Sequence, residues 1–301
     1  MNSTVLSIQS LTKFYGKIRA LNEVSFEVPA GSVFGVLGPN GSGKTTLLGL
    51  VMDVLQASGG TYSWFGEPPS EKHRKKIGCL LETPNFYHYL SGERNLRINA
   101  AIKGLGTEDI DRVLEIVKLS DRRHSPFSTY SLGMKQRLAI ASCLLGDPSV
   151  LVLDEPTNGL DPIGLAETRE LILQLAREGK TILLASHLLA EVEKVCTHVA
   201  ILQKGQLLMA GDVNLVLKNE DYIELGVSAD KVAALRSALS ALPGVREVRD
   251  YDQHVQVYFE NSVADLSEVN RYCFDRGMIL NHLQLRKRSL ESKFMELTKV
   301  K

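Results

Sequence analysis

A half-buried strand alternates apolar and polar side chains, because successive residues face opposite sides of its sheet. Three runs in this chain do not alternate: VFGVLG (Val33 to Gly38), VLVLDE (Val150 to Glu155) and TILLAS (Thr181 to Ser186). Each is expected to be a central strand covered on both faces. Helical stretches separate them, so the first two thirds of the chain read as an α/β fold around a largely parallel sheet. Between about Thr83 and Asp147 the strand signal disappears. GERNLRINAAIKG and IDRVLEIVKL repeat apolar residues at helical spacing, which predicts a mainly helical subdomain inserted into the sheet framework.

The pattern changes after about Asn219. DYIELGVS alternates like a strand, and ADKVAALRSALSAL reads as a helix closed by Pro243 and Gly244. VREVRD and HVQVYFE read as a strand pair around YDQ, VADLSEVNRYCFDRG as a helix ending at Gly277, and ILNHLQLRK as a last strand. The order β-α-β-β-α-β suggests a small ferredoxin-like α+β domain. The expected division is therefore residues 1–218, with the helical subdomain at about 83–147, and an accessory domain at 219–301. Nothing in the accessory part suggests chemistry. His254 and His282 stand alone in sequence and are read as structural or surface residues.

Composition narrows the setting. The 301 residues suffice for one large domain and a small one, and 44% hydrophobic residues supply a sizeable core. Lys+Arg and Asp+Glu are equal at 35 each, so no whole-molecule field attracts a polyanion or a membrane surface. The basic runs KHRKK (Lys72 to Lys76) and RKR (Arg286 to Arg288) read as solvated faces. Cys79, Cys143, Cys196 and Cys273 form no C-x-x-C pair, which points to free thiols in a reducing compartment such as the cytoplasm. No apolar run approaches the roughly 18–20 residues that cross a bilayer, and MNSTVLSIQS lacks the features of a secretory signal. Service at a membrane would need a partner chain.

The chemistry begins at GPNGSGKT (Gly38 to Thr45), directly after the first central strand and opening a predicted helix, KTTLLGLVMDVL. Gly38, Gly41 and Gly43 let the backbone curl so that its N–H groups point inward at phosphate oxygens. Pro39, Asn40 and Ser42 complete the loop, and the helix dipole adds to the attraction. Lys44 is expected to reach the β- and γ-phosphates, the Thr45 hydroxyl to ligate Mg²⁺, and Thr46 to add a phosphate contact. VLVLDEP ends an apolar strand in two carboxylates. Asp154 is the candidate Mg²⁺ holder, directly or through water, and Glu155 the candidate general base for an attacking water. Capping of the following turn is the alternative task for both.

A second segment, YSLGMKQRL (Tyr130 to Leu138), also suits phosphate: Ser131 offers a hydroxyl, Gly133 a close-approach N–H, and the helix from about Met134 a positive terminus. The phosphate loop, this segment, VLVLDEP, NGLDP (Asn158 to Pro162) and ASH (Ala185 to His187) occur in the order and spacing of the ABC ATPase family. The resemblance covers about residues 5–215. It implies a P-loop NTPase that binds ATP and Mg²⁺ and works as a head-to-tail homodimer, Ser131 and Gly133 of one copy closing over the γ-phosphate held by the other. It further implies that Tyr15 stacks on adenine, that His187 hydrogen-bonds the γ-phosphate, and that Asp161 lies in the loop by which subunits sense each other's site.

Three positions depart from the family pattern. Glu82 stands where the family has a glutamine that bridges Mg²⁺ and the membrane partner; the extra charge either tightens Mg²⁺ or repels the γ-phosphate. Leu132 and Met134 replace glycine and glutamine. These departures, and the tail SLESKFMELT, resemble the bacitracin-type and ABC-2 exporter branch. The resemblance implies an ATPase motor for integral membrane permease subunits on separate chains, peripheral on the inner face of the cell membrane, with Phe86, Tyr87, Tyr89 and Leu90 near the docking surface. The competing class is a soluble ABC-type ATPase acting on nucleic acid or the ribosome. A single core, no heptad array and no basic excess speak against it, so no nucleic-acid partner is expected.

Overall fold

The computed structural model describes residues 3–81, 85–217, 221–251, 254–260, 265–286 and 289–299. The chain divides into two compact units, Met1–Val213 and Asn214–Lys301. The first begins with strands β1 (Thr4–Tyr15), β2 (Ile18–Pro29) and β3 (Val33–Leu37) and helix α1 (Lys44–Val51). β4 (Gly59–Trp64), the single turn α2 (Glu71–Arg74) and β5 (Ile77–Leu80) follow. Helices α3 (Gly92–Ile102), α4 (Ile110–Ile116) and α5 (Leu132–Leu144) form the expected helical segment. The sheet framework then resumes with β6 (Val150–Asp154), α6 (Pro162–Arg177), β7 (Thr181–Ser186), α7 (Leu189–Val192), β8 (His198–Gln203) and β9 (Gln206–Asp212).

The parallel sheet has the order β5-β6-β7-β3-β8-β9, and β9 runs antiparallel at its edge. β3, β6 and β7 are buried at every position, as their non-alternating sequences require. A second, antiparallel sheet, β2-β1-β4, was not expected from the pattern. Its register shifts at several points between β1 and β2, which blurs the two-residue period. One core joins the two sheets and α1, and Phe26 of β2 stacks on Phe34 of β3 with centroids 5.1 Å apart.

The boundaries of α1 and α5 differ from the sequence expectation. α1 stops at Val51, because Asp53 turns into the left-handed region (φ 61°) and the Leu55 N–H returns to the Gly49 carbonyl at 3.0 Å. α5 starts at Leu132, earlier than Met134, because the Ser131 side chain caps it by accepting from the Met134 N–H.

α8 (Val213–Leu217) begins at the boundary between the units. The second unit then runs β10 (Tyr222–Gly226), α9 (Val232–Ser240), β11 (Val245–Tyr251), β12 (His254–Phe259), α10 (Leu266–Phe274), β13 (His282–Arg286) and α11 (Leu290–Lys299). Its antiparallel sheet, β11-β12-β10-β13, and its β-α-β-β-α-β order give the expected ferredoxin-like arrangement. Ile223, Leu225, Val255 and Val257 of the sheet share a core with Leu235 of α9 and Val269 of α10. Asp252 and Gln253, in the expected YDQ turn, lie outside the described residues.

Candidate functional site

β7 lies between β3 and β6. The phosphate loop after β3, the carboxylates after β6 and His187 after β7 therefore gather at one end of the parallel sheet, where open α/β sheets bind ligands. The loop is built for backbone approach. Gly43 caps α1 in the left-handed region (φ 106°), and a Cβ there would sit 2.7 Å from the Ala20 carbonyl oxygen. At Gly38 a Cβ would meet the Leu202 carbonyl oxygen at 2.2 Å. Ser42 is buried, and its Oγ has no hydrogen-bond partner among the described residues. Buried hydroxyls are normally satisfied, and a phosphate oxygen in this cradle would do so.

Lys44 is buried at 6% exposure. Its Nζ donates to the carbonyls of Gly38 (2.8 Å) and Pro39 (3.3 Å) and lies 3.5 Å from Glu155 Oε1. Asn40, Gly41, Thr45 and Thr46 join Lys44 and Glu155 around a cavity of about 480 Å³. Sequence reasoning missed part of this wall. Ile18, Arg19 and Ala20 enter from β2, and the β8–β9 turn adds Lys204 and Gly205. The turn is fixed on the loop by the Gly205 N–H donating to the Ser42 carbonyl at 3.0 Å. These residues carry no motif; only the chain's return brings them here. Tyr15 ends β1 with 45% of its surface exposed and Lys13 Nζ 5.1 Å from its ring centroid, and it is not among the lining residues.

Glu155 leaves β6 in the left-handed region (φ 48°), uncommon for a residue with a side chain. Its N–H donates to the Ala185 carbonyl at 3.0 Å, which fixes the turn. Its Oε2 lies 2.9 Å from His187 Nδ1. Asp154, one residue earlier, is buried. Thr45, Asp154 and Glu155 line a second cavity of about 560 Å³, faced from α5 by Leu132, Lys135 and Gln136. A hydroxyl and carboxylates are hard oxygen donors and fit Mg²⁺.

The remaining candidates are spread out. Ser131 is exposed and Gly133 half-buried at the start of α5, where a Cβ on Gly133 would come no closer than 3.8 Å to Gly164 Cα. Asp161 caps α6, its Oδ1 accepting from the Gly164 N–H at 2.8 Å. None of these three lines either cavity. Glu82 lies outside the described residues. The structure corrects one reading: His254 and His282 are not isolated, since β12 and β13 flank β10 and bring their ring centroids to 4.5 Å.

A phosphate loop between parallel strands, with a carboxylate pair and a histidine on the neighbouring strand ends, defines a P-loop nucleoside triphosphatase. The chain belongs to the ABC transporter ATP-binding family: residues 21–158 match the family described as ABC transporter. It is 35% identical to the bacitracin transport ATP-binding protein BcrA of Enterococcus faecalis, over 97% of this chain and 96% of the relative. It is 38% identical to the ABC transporter ATP-binding protein YhcH of Bacillus subtilis strain 168, over 98% and 96%. Among solved structures, cbiO1 from Clostridium perfringens superposes with a TM-score of 0.65 at 27% identity, covering 80% of this chain and 96% of that one. An ATP-binding cassette in its ADP conformation gives 0.64 at 26%, over 69% and 91%. The protein is thus an ATPase whose hydrolysis is coupled to transport.

Proposed function

We propose that the chain acts as one half of a homodimer that holds two ATP molecules and drives separate integral membrane subunits in export. Each ATP would lie between the phosphate loop of one copy and the Ser131–Gly133 segment of the other. The exposed Ser131 at the start of α5, which does not line its own chain's phosphate-loop cavity, supports this.

The contact between Glu155 Oε2 and His187 Nδ1, at 2.9 Å, carries the chemical reading. It fixes a carboxylate at the rim of the phosphate cavity. There Glu155 would take a proton from water while the water oxygen bonds to the γ-phosphorus and the bond to the β–γ bridging oxygen breaks, leaving ADP and phosphate. His187 would hold that carboxylate and meet the γ-phosphate, and Lys44 would exchange its loop carbonyls for phosphate oxygens. Thr45 and Asp154 would hold Mg²⁺, which when bound neutralises charge on the phosphates. Tyr15 would stack on adenine, and Asp161 would sense the partner's site. A contact from Glu82 rests on family resemblance alone.

For the membrane partner, Tyr87 and Tyr89 are 50% and 77% exposed. Phe86, Tyr87, Ile98 and Ile102 line a neighbouring cavity of about 350 Å³. Such a surface suits an apolar helix face. Among the described residues no helix is long and apolar enough to cross a membrane, which fits a motor held at the inner face by permease subunits.

Glu155→Gln tests the reading. It should keep ATP affinity, lose about 10²–10⁴-fold in turnover, and collect as an ATP-dependent dimer on size exclusion. Near-normal hydrolysis would remove Glu155 from this role.

A further inference from the structure

β10 occupies the middle of the second unit's sheet, with β12 on one side and β13 on the other. Ile223 and Leu225 belong to the apolar core, so Glu224 and Gly226 face the opposite side. Gly226 pairs with His282. A Cβ there would lie 2.8 Å from His254 Cδ2 and 3.0 Å from His282 Cβ. Asn281 Oδ1 would be nearer still, at 2.6 Å, so the missing side chain leaves room for these groups, and the two imidazole centroids lie 4.5 Å apart. Glu224 is buried, with 8% of its side chain exposed, and its Oε1 lies 3.0 Å from His282 Nε2. One ligand atom from each of Glu224, His254 and His282 falls within 4.8 Å of the others.

An ordinary ion pair does not account for this arrangement. His282 Nε2 is shielded from solvent and has no hydrogen-bond partner among the described residues, although Glu224 Oε1 is close. Arg286 Nε takes up the other oxygen, Oε2, at 3.5 Å. Ligand atoms of the carboxylate and of both imidazoles lie close together, while Arg286 pairs with the carboxylate's other oxygen, as outer-shell partners of metal ligands do.

We propose that Glu224, His254 and His282 bind one divalent transition-metal ion of the zinc type. Two nitrogen donors and one carboxylate oxygen select such an ion over Mg²⁺ or Ca²⁺, which prefer oxygen alone. Bonds of about 2.0–2.2 Å set the ligand atoms of a tetrahedral site roughly 3.3 Å apart. The Glu224–His282 separation of 3.0 Å is already close to this, and the His254 ligand atom lies within 4.8 Å of both. Three protein ligands leave a fourth position for water. The ion would tie β12, β10 and β13 together and stabilise the folded chain by mass action. It is a different site from the one formed by Thr45 and Asp154.

The test titrates Zn²⁺ alone into the full-length, tag-free chain without nucleotide or Mg²⁺, followed by calorimetry and thermal melting. One saturable site and a melting temperature that rises with Zn²⁺ are expected. His282→Gln and Glu224→Gln should each weaken binding by about 100-fold or more, since even outer-shell losses cost about 10–100-fold. His187→Gln, in the other unit, should retain the site. Absence of saturable binding, or unchanged affinity in His282→Gln and Glu224→Gln, overturns the assignment. Should either variant fail to fold, the zinc-edge absorption spectrum of the unmodified chain decides: two imidazole shells support the site, and fewer refute it.

Discussion

Glu155 and Glu93 show how far a single carboxylate depends on what its neighbours donate. Glu155 accepts the cost of a left-handed backbone, of order 1–3 kcal/mol for such outliers, and in return its side chain turns out of the strand toward Lys44 and His187. Glu93, in α3, is buried and fully engaged. Arg123 Nε donates to its Oε2 at 3.0 Å, and Arg97 donates twice to its Oε1. These bonds, Arg123's above all, hold its carboxyl below the usual carboxylate range. A depressed native value means that the unfolded chain takes up the proton first as acid is added. The stabilisation is therefore complete above the unfolded value of about 4.3 and is lost as pH falls through the lower native one. Urea unfolding of Glu93→Gln should show lower stability than the parent at neutral pH, by about 1.5–3 kcal/mol, and a gap that narrows at about pH 3. A gap constant with pH would refute the assignment.

At the level of elements, burial rather than motif decides what a sequence reveals. β3, β6 and β7 were legible because strands buried on both faces cannot alternate, and the phosphate loop was legible because local turn chemistry is written in consecutive residues. β1 and β2 were not, since their register shifts interrupt the period that would have announced them. The far wall of the nucleotide cavity and the His254–His282 pair escaped for another reason: strand order assembles them from distant segments. Asn95 is a third case. It is 1% exposed in α3, and its Oδ1 accepts from the Tyr87 N–H at 2.8 Å while its Nδ2 reaches the carbonyls of Tyr87 and Ser91, both at 3.1 Å. One amide thus pins the loop that presents Tyr87 and Tyr89. Asn95→Ala should cost about 1–3 kcal/mol through the unsatisfied backbone groups and raise amide exchange across residues 87–91. Unchanged exchange there would show the loop to be held by other contacts.

For the molecule as a whole, the proposed sharing of a site between copies has a direct consequence. Ser131→Arg would put a large cation on the surface offered to the other copy. Ser131 does not line its own chain's phosphate-loop cavity. Nucleotide affinity of the monomer should stay within about twofold, because Ser131 lines neither cavity of its own chain, while turnover should fall below detection; weakened monomer binding would refute the shared site. Within one copy, Lys44 and Glu155 also face each other. Lys44 Nζ donates to two loop carbonyls and lies 3.5 Å from Glu155, so the cation faces the carboxylate proposed as proton acceptor. On the proposed function, a triphosphate that drew the lysine away would release the carboxylate in the same movement. On the proposed function, the fuel would arm the machine that consumes it by parting two charges proposed for its own hydrolysis. A nucleotide complex in which that pair stayed engaged would dismiss the idea.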